Sequence, residues 1–79
     1  MKVSFKPKGT CSRRIDIEAE DGIIQHVKFT GGCDGNLKGI SALVVGMKKE
    51  DTIGKLEGIR CGLRKTSCPD QLAKALKEI

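Results

Sequence analysis

Residues 14–29, RIDIEAEDGIIQHVKF, decide the fold of this 79-residue chain. Over the first seven of them apolar and polar side chains alternate, which is the period-two pattern of a strand with one buried face. The dipeptide Asp21-Gly22 is typical of a tight hairpin turn. After the turn the chain returns as a second strand, which we expect to place Ile23, Val27 and Phe29 on one face. The stretch therefore predicts an antiparallel hairpin with one apolar face.

The segment before this hairpin alternates in the same way. Val3 and Phe5 stand between polar residues, which predicts another strand that ends at Pro7. Three consecutive strands of this kind form an antiparallel meander, and such a sheet commonly needs cover on one side only.

Three helices are predicted after the hairpin, because apolar residues then recur at helical spacing. The second helix should start at Asp51 or Thr52. We predict one α+β domain over residues 1–79, a three-stranded antiparallel meander with about three helices packed on one face. The apolar stripes are Leu37, Ile40, Val44 and Met47 on the first helix, Ile53, Leu56 and Ile59 on the second, and Leu72, Ala73, Leu76 and Ile79 on the third.

The first helix has two notable features. Asp34 or Asn36 is of the residue type that caps a helix N-terminus. Gly39 and Gly46 lower helix stability, so we expect either close packing of the backbone on the sheet or a helix stop near Met47.

The third helix should begin at about Cys68. Ser67, followed three residues later by Asp70, resembles a capping box, and Pro69 suits the first helical turn. The unpaired N–H groups and the positive end of the helix dipole favour a thiolate at Cys68.

The composition favours a site, such as a metal centre, that reinforces a small hydrophobic core. The chain has two Phe, no Trp and no Tyr, so few large side chains can fill its interior, and four cysteines are available to reinforce it. No apolar run has the length of a signal peptide or a membrane span, and we expect a cytoplasmic protein without membrane contact. In a reducing compartment, four cysteines indicate metal ligands or redox thiols more often than structural disulfides.

The predicted topology brings all four cysteines to the same end of the domain. Strands one to three run up, down and up, and the helices then run down, up and down, so each cysteine follows or precedes an element at the upper end. Four converging thiolates suit tetrahedral zinc, our first candidate, or an iron–sulfur species. The predicted metal ligands are Cys11, Cys33, Cys61 and Cys68.

A redox pair is the alternative. Cys68 would be the attacking thiol and Cys61 its partner, with six residues between them. No short pair of cysteines separated by two to four residues, the usual sign of a zinc knuckle, occurs in the chain. The sequence leaves both chemistries open.

Residues 66–70 read TSCPD, and the chain resembles the domain named after this motif, which occurs near the C-terminal end of ribonucleotide reductases, notably the adenosylcobalamin-dependent ones. The resemblance is to short four-cysteine relatives and extends through residues 31–33 (GGC), 39–41 (GIS), 61–62 (CG) and 66–72 (TSCPDQL). Such a short chain cannot hold the barrel, radical site or cobalamin site of a reductase. The resemblance therefore implies an accessory role in deoxyribonucleotide synthesis, with a reductase subunit as the expected partner, and leaves open whether the chain is an enzyme.

A looser resemblance is to the scaffold proteins of iron–sulfur assembly, which share a three-stranded meander followed by helices. Their key cysteines would correspond to Cys11 and Cys33, with Cys61 or Cys68 as the third. This resemblance implies a fold and a metal-binding habit, and it adds a metal or cluster scaffold to the candidate functions.

Charge and the remaining polar residues complete the expectations. The net charge of +5 is concentrated near the cysteines, where a nucleotide or another anion could bind, although solubility alone explains such a charge. Without aromatic side chains to stack bases, a nucleic-acid platform is disfavoured. His26 should be exposed on the polar side of the sheet. Asp34 and Asp70 are better explained as helix caps than as groups that orient a metal ligand.

Overall fold

The computed structural model describes residues 2–10, 12–32, 34–60 and 62–79, with the side chain of Asp34 outside the described part. The predicted α+β arrangement of a three-stranded antiparallel sheet and three helices is confirmed. The elements are β1 (Lys2–Phe5), β2 (Ser12–Glu20), β3 (Ile23–Gly31), α1 (Asp34–Val44), α2 (Lys49–Leu56) and α3 (Cys68–Lys77).

The sheet is the predicted meander, in the order β1-β2-β3. Ile17 pairs with Val3 on one side and with Val27 on the other, so one apolar row crosses all three strands. At the hairpin both Asp21 and Gly22 have positive φ, 53° and 76°, as the favoured two-residue turn requires.

One residue of β3 disturbs the simple alternation. Glu18 pairs with His26 and Ala19 pairs with Ile24, which leaves Gln25 as the extra residue of a bulge. The side chain of Ile24 therefore enters the core, where it is fully buried, whereas Ile23 is only half-buried. The prediction that Ile23 shares a face with Val27 was wrong, because the bulge reverses the facing of the residues before it.

The helices cover the apolar face of the sheet. α1 contacts β3, and α3 contacts both α2 and β2. The core combines sheet and helix residues, namely Ile15, Ile17, Ile24, Val27, Val44, Leu72, Ala75 and Leu76. The opposite face carries polar groups, among them Asp16, which accepts hydrogen bonds from Ser4 at 2.6 Å and from Arg14 at 3.0 Å. His26 is exposed, as predicted.

The stripe predicted for α1 is confirmed for Leu37, Ile40 and Val44, which are buried or packed against the core. Met47 also packs against the core, but it lies beyond the end of the helix at Val44. Asp34 and Asn36, the two predicted caps, are the first and third residues of α1, so neither stands before the helix at the N-cap position. A side chain at Gly39 would meet open space, which excludes close backbone packing as the reason for that glycine.

The chain leaves α1 through Gly46, whose φ of +87° suits glycine. The amide of Gly46 donates to the carbonyl of Ile24 at 2.8 Å, and the amide of Ile24 donates to the carbonyl of Met47 at 2.9 Å. These bonds attach the segment after α1 to the start of β3. The helix stop predicted near Met47 occurs three residues earlier, after Val44.

α2 starts at Lys49, ahead of the predicted start at Asp51 or Thr52. Thr52 is fully buried instead, and its hydroxyl donates to the carbonyl of Lys48 at 3.2 Å. Ile59, predicted on this helix, lies beyond its end at Leu56 and is exposed.

Candidate functional site

Ser67 caps α3 and also holds the loop before it. Its hydroxyl oxygen accepts a hydrogen bond from the amide of Asp70 at 3.1 Å. The same hydroxyl donates to the carbonyl oxygen of Ile59 at 2.6 Å. The predicted cap and the predicted start of the helix at Cys68 are confirmed, and the cap has a second role that the sequence did not reveal.

Asp70 holds the same loop through its carboxylate. The side chain is buried and accepts hydrogen bonds from the amide of Gly58 at 2.7 Å and from the hydroxyl of Thr66. Lys74, one turn along the helix, lies 3.8 Å away. Of the two hydrogen bonds of the predicted capping box, only the one from the amide of Asp70 to the hydroxyl of Ser67 forms. The carboxylate of Asp70 does not bond back to Ser67, because it is committed to Gly58 and Thr66.

These contacts favour the charged form of Asp70. The hydrogen bond from Thr66 is the main cause that lowers the pKa of Asp70, and the amide of Gly58 and the charge of Lys74 act in the same direction against the effect of burial. The carboxylate is therefore a fixed negative group at the start of α3.

Gln71 joins the N-terminal loop to this cluster. Its side-chain carbonyl accepts from the amide of Lys8 at 3.2 Å, and its side-chain amide donates to the hydroxyl of Thr66 at 2.9 Å. Gly9 passes so close that a Cβ there would lie 3.1 Å from the methyl carbon of Thr66. Residues 8–9 are thus packed against the first turn of α3.

Cys68, the first residue of α3, is buried, with an exposed fraction of 8%. Its sulfur lies 3.2 Å from the hydroxyl oxygen of Ser12, the first residue of β2. The Ser12 oxygen in turn lies 3.2 Å from the hydroxyl oxygen of Thr10. Sequence reasoning missed Ser12 as a site residue, and the only signal for it was its position directly after Cys11.

The family model that describes TSCPD-domain sequences matches residues 1–79, the whole chain. The chain belongs to the TSCPD-domain family. No curated protein and no solved structure matches it. In this TSCPD domain the residues of the signature each have a defined position: Thr66 and Asp70 form the buried hydrogen bond, Ser67 caps α3, Cys68 contacts Ser12, and Pro69 occupies the first helical turn.

The predicted metal ligands of the TSCPD domain are only partly described. Cys11, Cys33 and Cys61 lie outside the described residues, and so does the redox pairing of Cys61 with Cys68. Within residues 2–10, 12–32, 34–60 and 62–79, no three His, Cys, Asp or Glu side chains form a group that could hold a metal ion. The four-cysteine site therefore stays a prediction.

The described neighbours of these cysteines nevertheless gather around the start of α3. Ser12, which follows Cys11 in sequence, pairs with Gly31 across β2 and β3 and contacts Cys68. Ile59, two residues before Cys61, is bonded to Ser67.

Among the described helices of the TSCPD domain, none has the length and apolar character needed to cross a membrane.

Proposed function

We propose that this TSCPD domain is a small metal-binding module in which the four cysteines hold one metal ion, with zinc as the first candidate, and that it acts as an accessory of ribonucleotide reductase in deoxyribonucleotide synthesis. The observation that carries the metal site is the contact between Cys68 and Ser12 at the start of α3. The proposed ligands are Cys11, Cys33, Cys61 and Cys68.

The gathering of chain neighbours supports this ligand set. Ser12, Gly31 and Ile59 are one or two residues from Cys11, Cys33 and Cys61, a chain length of about 7 Å at most. Ser12 and Gly31 are paired with each other, Ser12 contacts Cys68, and Ile59 is bonded to the residue before Cys68. Donor atoms from distant parts of the chain can then meet near one sulfur, as a closed site requires.

The local charge also suits a cluster of thiolates. Four cysteine sulfurs around a divalent ion carry a net negative charge, and the segments that flank Cys11, Cys61 and Cys68 are rich in Lys and Arg and contain no Asp or Glu between residues 6 and 15 or between residues 58 and 69. The cations of these segments favour a negatively charged centre, whereas the buried carboxylate of Asp70, two residues after Cys68, acts against it and is partly offset by Lys74. When bound, a structural zinc would contribute folding free energy to a domain with a small core.

Burial of Cys68 favours a ligand over a redox thiol. Reactive cysteines of redox carriers are accessible to the disulfide that they attack, whereas only 8% of Cys68 is exposed. The dithiol carrier and the iron–sulfur scaffold are the two alternatives, and the experiments below distinguish them from a zinc site.

The first test is metal analysis of anaerobically purified protein by native mass spectrometry with elemental analysis. We expect about one metal ion per chain, without visible absorbance if it is zinc, and its loss in each of four single Cys→Ser variants. Ala42→Ser, an exposed helical position, is the matched control and should keep the metal. Chelation of the folded wild type should release the ion, which makes the result independent of how well the variants fold.

Other outcomes have defined meanings. Brown protein with iron and sulfide would assign the scaffold function. Absence of metal together with a loss of two hydrogens on mild oxidation, abolished by Cys61→Ser, would assign the dithiol carrier. Four inert thiols without metal would overturn the metal site.

The accessory role needs a separate test. The purified protein is added to an adenosylcobalamin-dependent ribonucleotide reductase from which the C-terminal TSCPD domain has been deleted. We expect the wild-type protein to restore turnover and Cys68→Ser to fail. Unchanged turnover with metal-loaded protein would remove the reductase connection and leave the metal site standing.

A further inference from the structure

The cations of this chain are concentrated in two segments. Residues 6–15 and 58–69 hold seven of the 15 Lys and Arg residues and none of the ten Asp and Glu residues. The other residues hold eight cations and all ten carboxylates, so the positive net charge of the protein arises from these two segments. The seven are Lys6, Lys8, Arg13, Arg14, Arg60, Arg64 and Lys65.

The fold joins the two segments into one end of the molecule. Gly9 approaches Thr66, and Ser12 contacts Cys68, so residues from both segments pack on the start of α3. Arg14 is bound to Asp16 on the outer face of the sheet. The other six cations are exposed, and none of them is paired with a carboxylate that the structure describes. We call the surface formed by Lys6, Lys8, Arg13, Arg60, Arg64 and Lys65 the basic end.

The far end of the long axis carries more carboxylates than cations, since only Lys48 and Lys49 accompany four acidic residues at the hairpin turn and the start of α2. β2 leads away from the basic end to Glu20 and the hairpin turn, over about 30 Å of strand, and the longest extent of the molecule is 35 Å. The start of α2 abuts this turn, since the amide of Lys49 donates to the carbonyl of Gly22 at 2.8 Å. Glu20, Asp21, Glu50 and Asp51 are all exposed there. Such a separation of charge orients the basic end towards a negatively charged partner.

A fully exposed leucine lies within the basic end. Leu63 stands between Arg60 and Arg64 in sequence and has no cover from the rest of the described chain. The loop that presents it is anchored before Leu63 by the bonds of Gly58 to Asp70 and of Ile59 to Ser67. Leu63 is the most exposed of the large hydrophobic side chains that the structure describes, and at this position it offers a partner an apolar contact beside the cations.

We propose that the basic end is a docking surface for an acidic polypeptide segment that carries an apolar residue, with Leu63 as its anchor. The positive charge of the basic end requires a negatively charged partner. Leu63 favours a partner with an apolar residue, which a polypeptide can supply. A nucleic acid would use aromatic side chains to stack its bases, and the basic end has none. The six cations and Leu63 are all described residues.

The test uses two fluorescein-labelled peptides of equal charge, one alternating acidic residues with Leu and one with Ser in place of each Leu, and measures binding by fluorescence anisotropy. We expect the wild-type protein to bind the Leu peptide roughly tenfold more tightly than the Ser peptide, since a Leu side chain leaves water. Leu63→Ser should abolish this preference and keep the weaker, salt-dependent binding of both peptides.

A matched pair of charge variants locates the surface. Replacement of Arg60, Arg64 and Lys65 by Glu should abolish binding of both peptides. Replacement of Lys28, Lys48 and Lys55 by Glu gives the same change in net charge at exposed positions elsewhere and should leave the preference for the Leu peptide intact. Thermal unfolding of each variant checks that the fold is retained.

Three results would overturn the proposal. The first is equal affinity of the wild-type protein for the two peptides. The second is the same loss of binding in both charge variants, which would reduce the effect to net charge. The third is tighter binding of a single-stranded oligonucleotide of the same charge, which would assign the surface to a nucleic acid.

Discussion

The amide of Gly58 donates a 2.7 Å hydrogen bond to the buried carboxylate of Asp70, twelve residues later in the chain. The same carboxylate receives the hydroxyl of Thr66. The turn after α2 and the first turn of α3 are therefore fixed to each other by one charged side chain. The acidic residue of the family signature acts here as a structural clamp.

Replacement of this clamp should destabilise the domain. We expect Asp70→Asn to lower the free energy of unfolding by about 1–3 kcal/mol, because a buried amide donor loses a charged acceptor. Urea denaturation measures the change. Asp21→Asn, at the exposed hairpin turn where Asn is also favourable, is the matched control and should stay within about 0.5 kcal/mol of wild type. Equal effects of the two substitutions would contradict the clamp.

The clamp also predicts how stability depends on pH. The pKa of Asp70 is lowered on folding, chiefly by the hydrogen bond from Thr66, so its contribution is fully present above the unfolded value near 3.8 and is lost as pH falls through the lower folded value. The stability difference between wild type and Asp70→Asn should be constant from neutral pH down to about pH 5 and then shrink in acid. A difference that stays constant down to pH 2 would show that ionisation of Asp70 is irrelevant.

Two glycines should respond to alanine in opposite directions. Gly9 has a φ of +76°, and its new Cβ would lie 3.1 Å from Thr66, so we expect Gly9→Ala to cost about 1–2 kcal/mol. Gly54 lies in α2 with open space around it, and Gly54→Ala should add about 0.5–1 kcal/mol to the stability. Melting temperatures of the two variants on either side of wild type would support both positions. A stabilising Gly9→Ala would show that the loop at residues 8–9 does not pack as described.

Ser12 should influence the proposed metal centre through Cys68. Its hydroxyl lies against the Cys68 sulfur, and loss of a hydrogen bond to a ligand typically weakens metal affinity by about 10–100-fold. Competition with a chromogenic chelator measures this for Ser12→Ala. The control is Ser4→Ala, which removes a hydroxyl from the outer face of the sheet and should leave the affinity unchanged. Identical affinities for the two variants would assign Ser12 to packing alone.

The sequence predicted those parts of the fold that depend on local pattern. The alternation around Ile15 and Ile17 identifies a strand because each side chain faces the side that its polarity requires, and Ser67 identifies a helix start because its cap is local. The bulge at Gln25 was not predictable in this way, since two adjacent isoleucines at positions 23 and 24 fit either face equally well.

The candidate site shows the same division. Cys68 is at the predicted start of α3, yet the roles of Ser12 and Gln71 depend on contacts across 56 and 63 residues of chain, which no local pattern encodes. Asp70 was expected to act within its own helix turn, and its carboxylate binds Gly58 instead. Tertiary geometry, rather than residue type, decided these roles.

The position of α3 after all three strands in the chain has a consequence for synthesis of the protein on the ribosome. Leu72 and Leu76 on α3 complete the core, and the strands that they cover are made first. Until α3 has emerged, the apolar face of the nascent sheet lacks its last cover, and contacts this distant in sequence form slowly. During synthesis the apolar face of the sheet is therefore the last part of the core to be closed, and Leu72 and Leu76 close it.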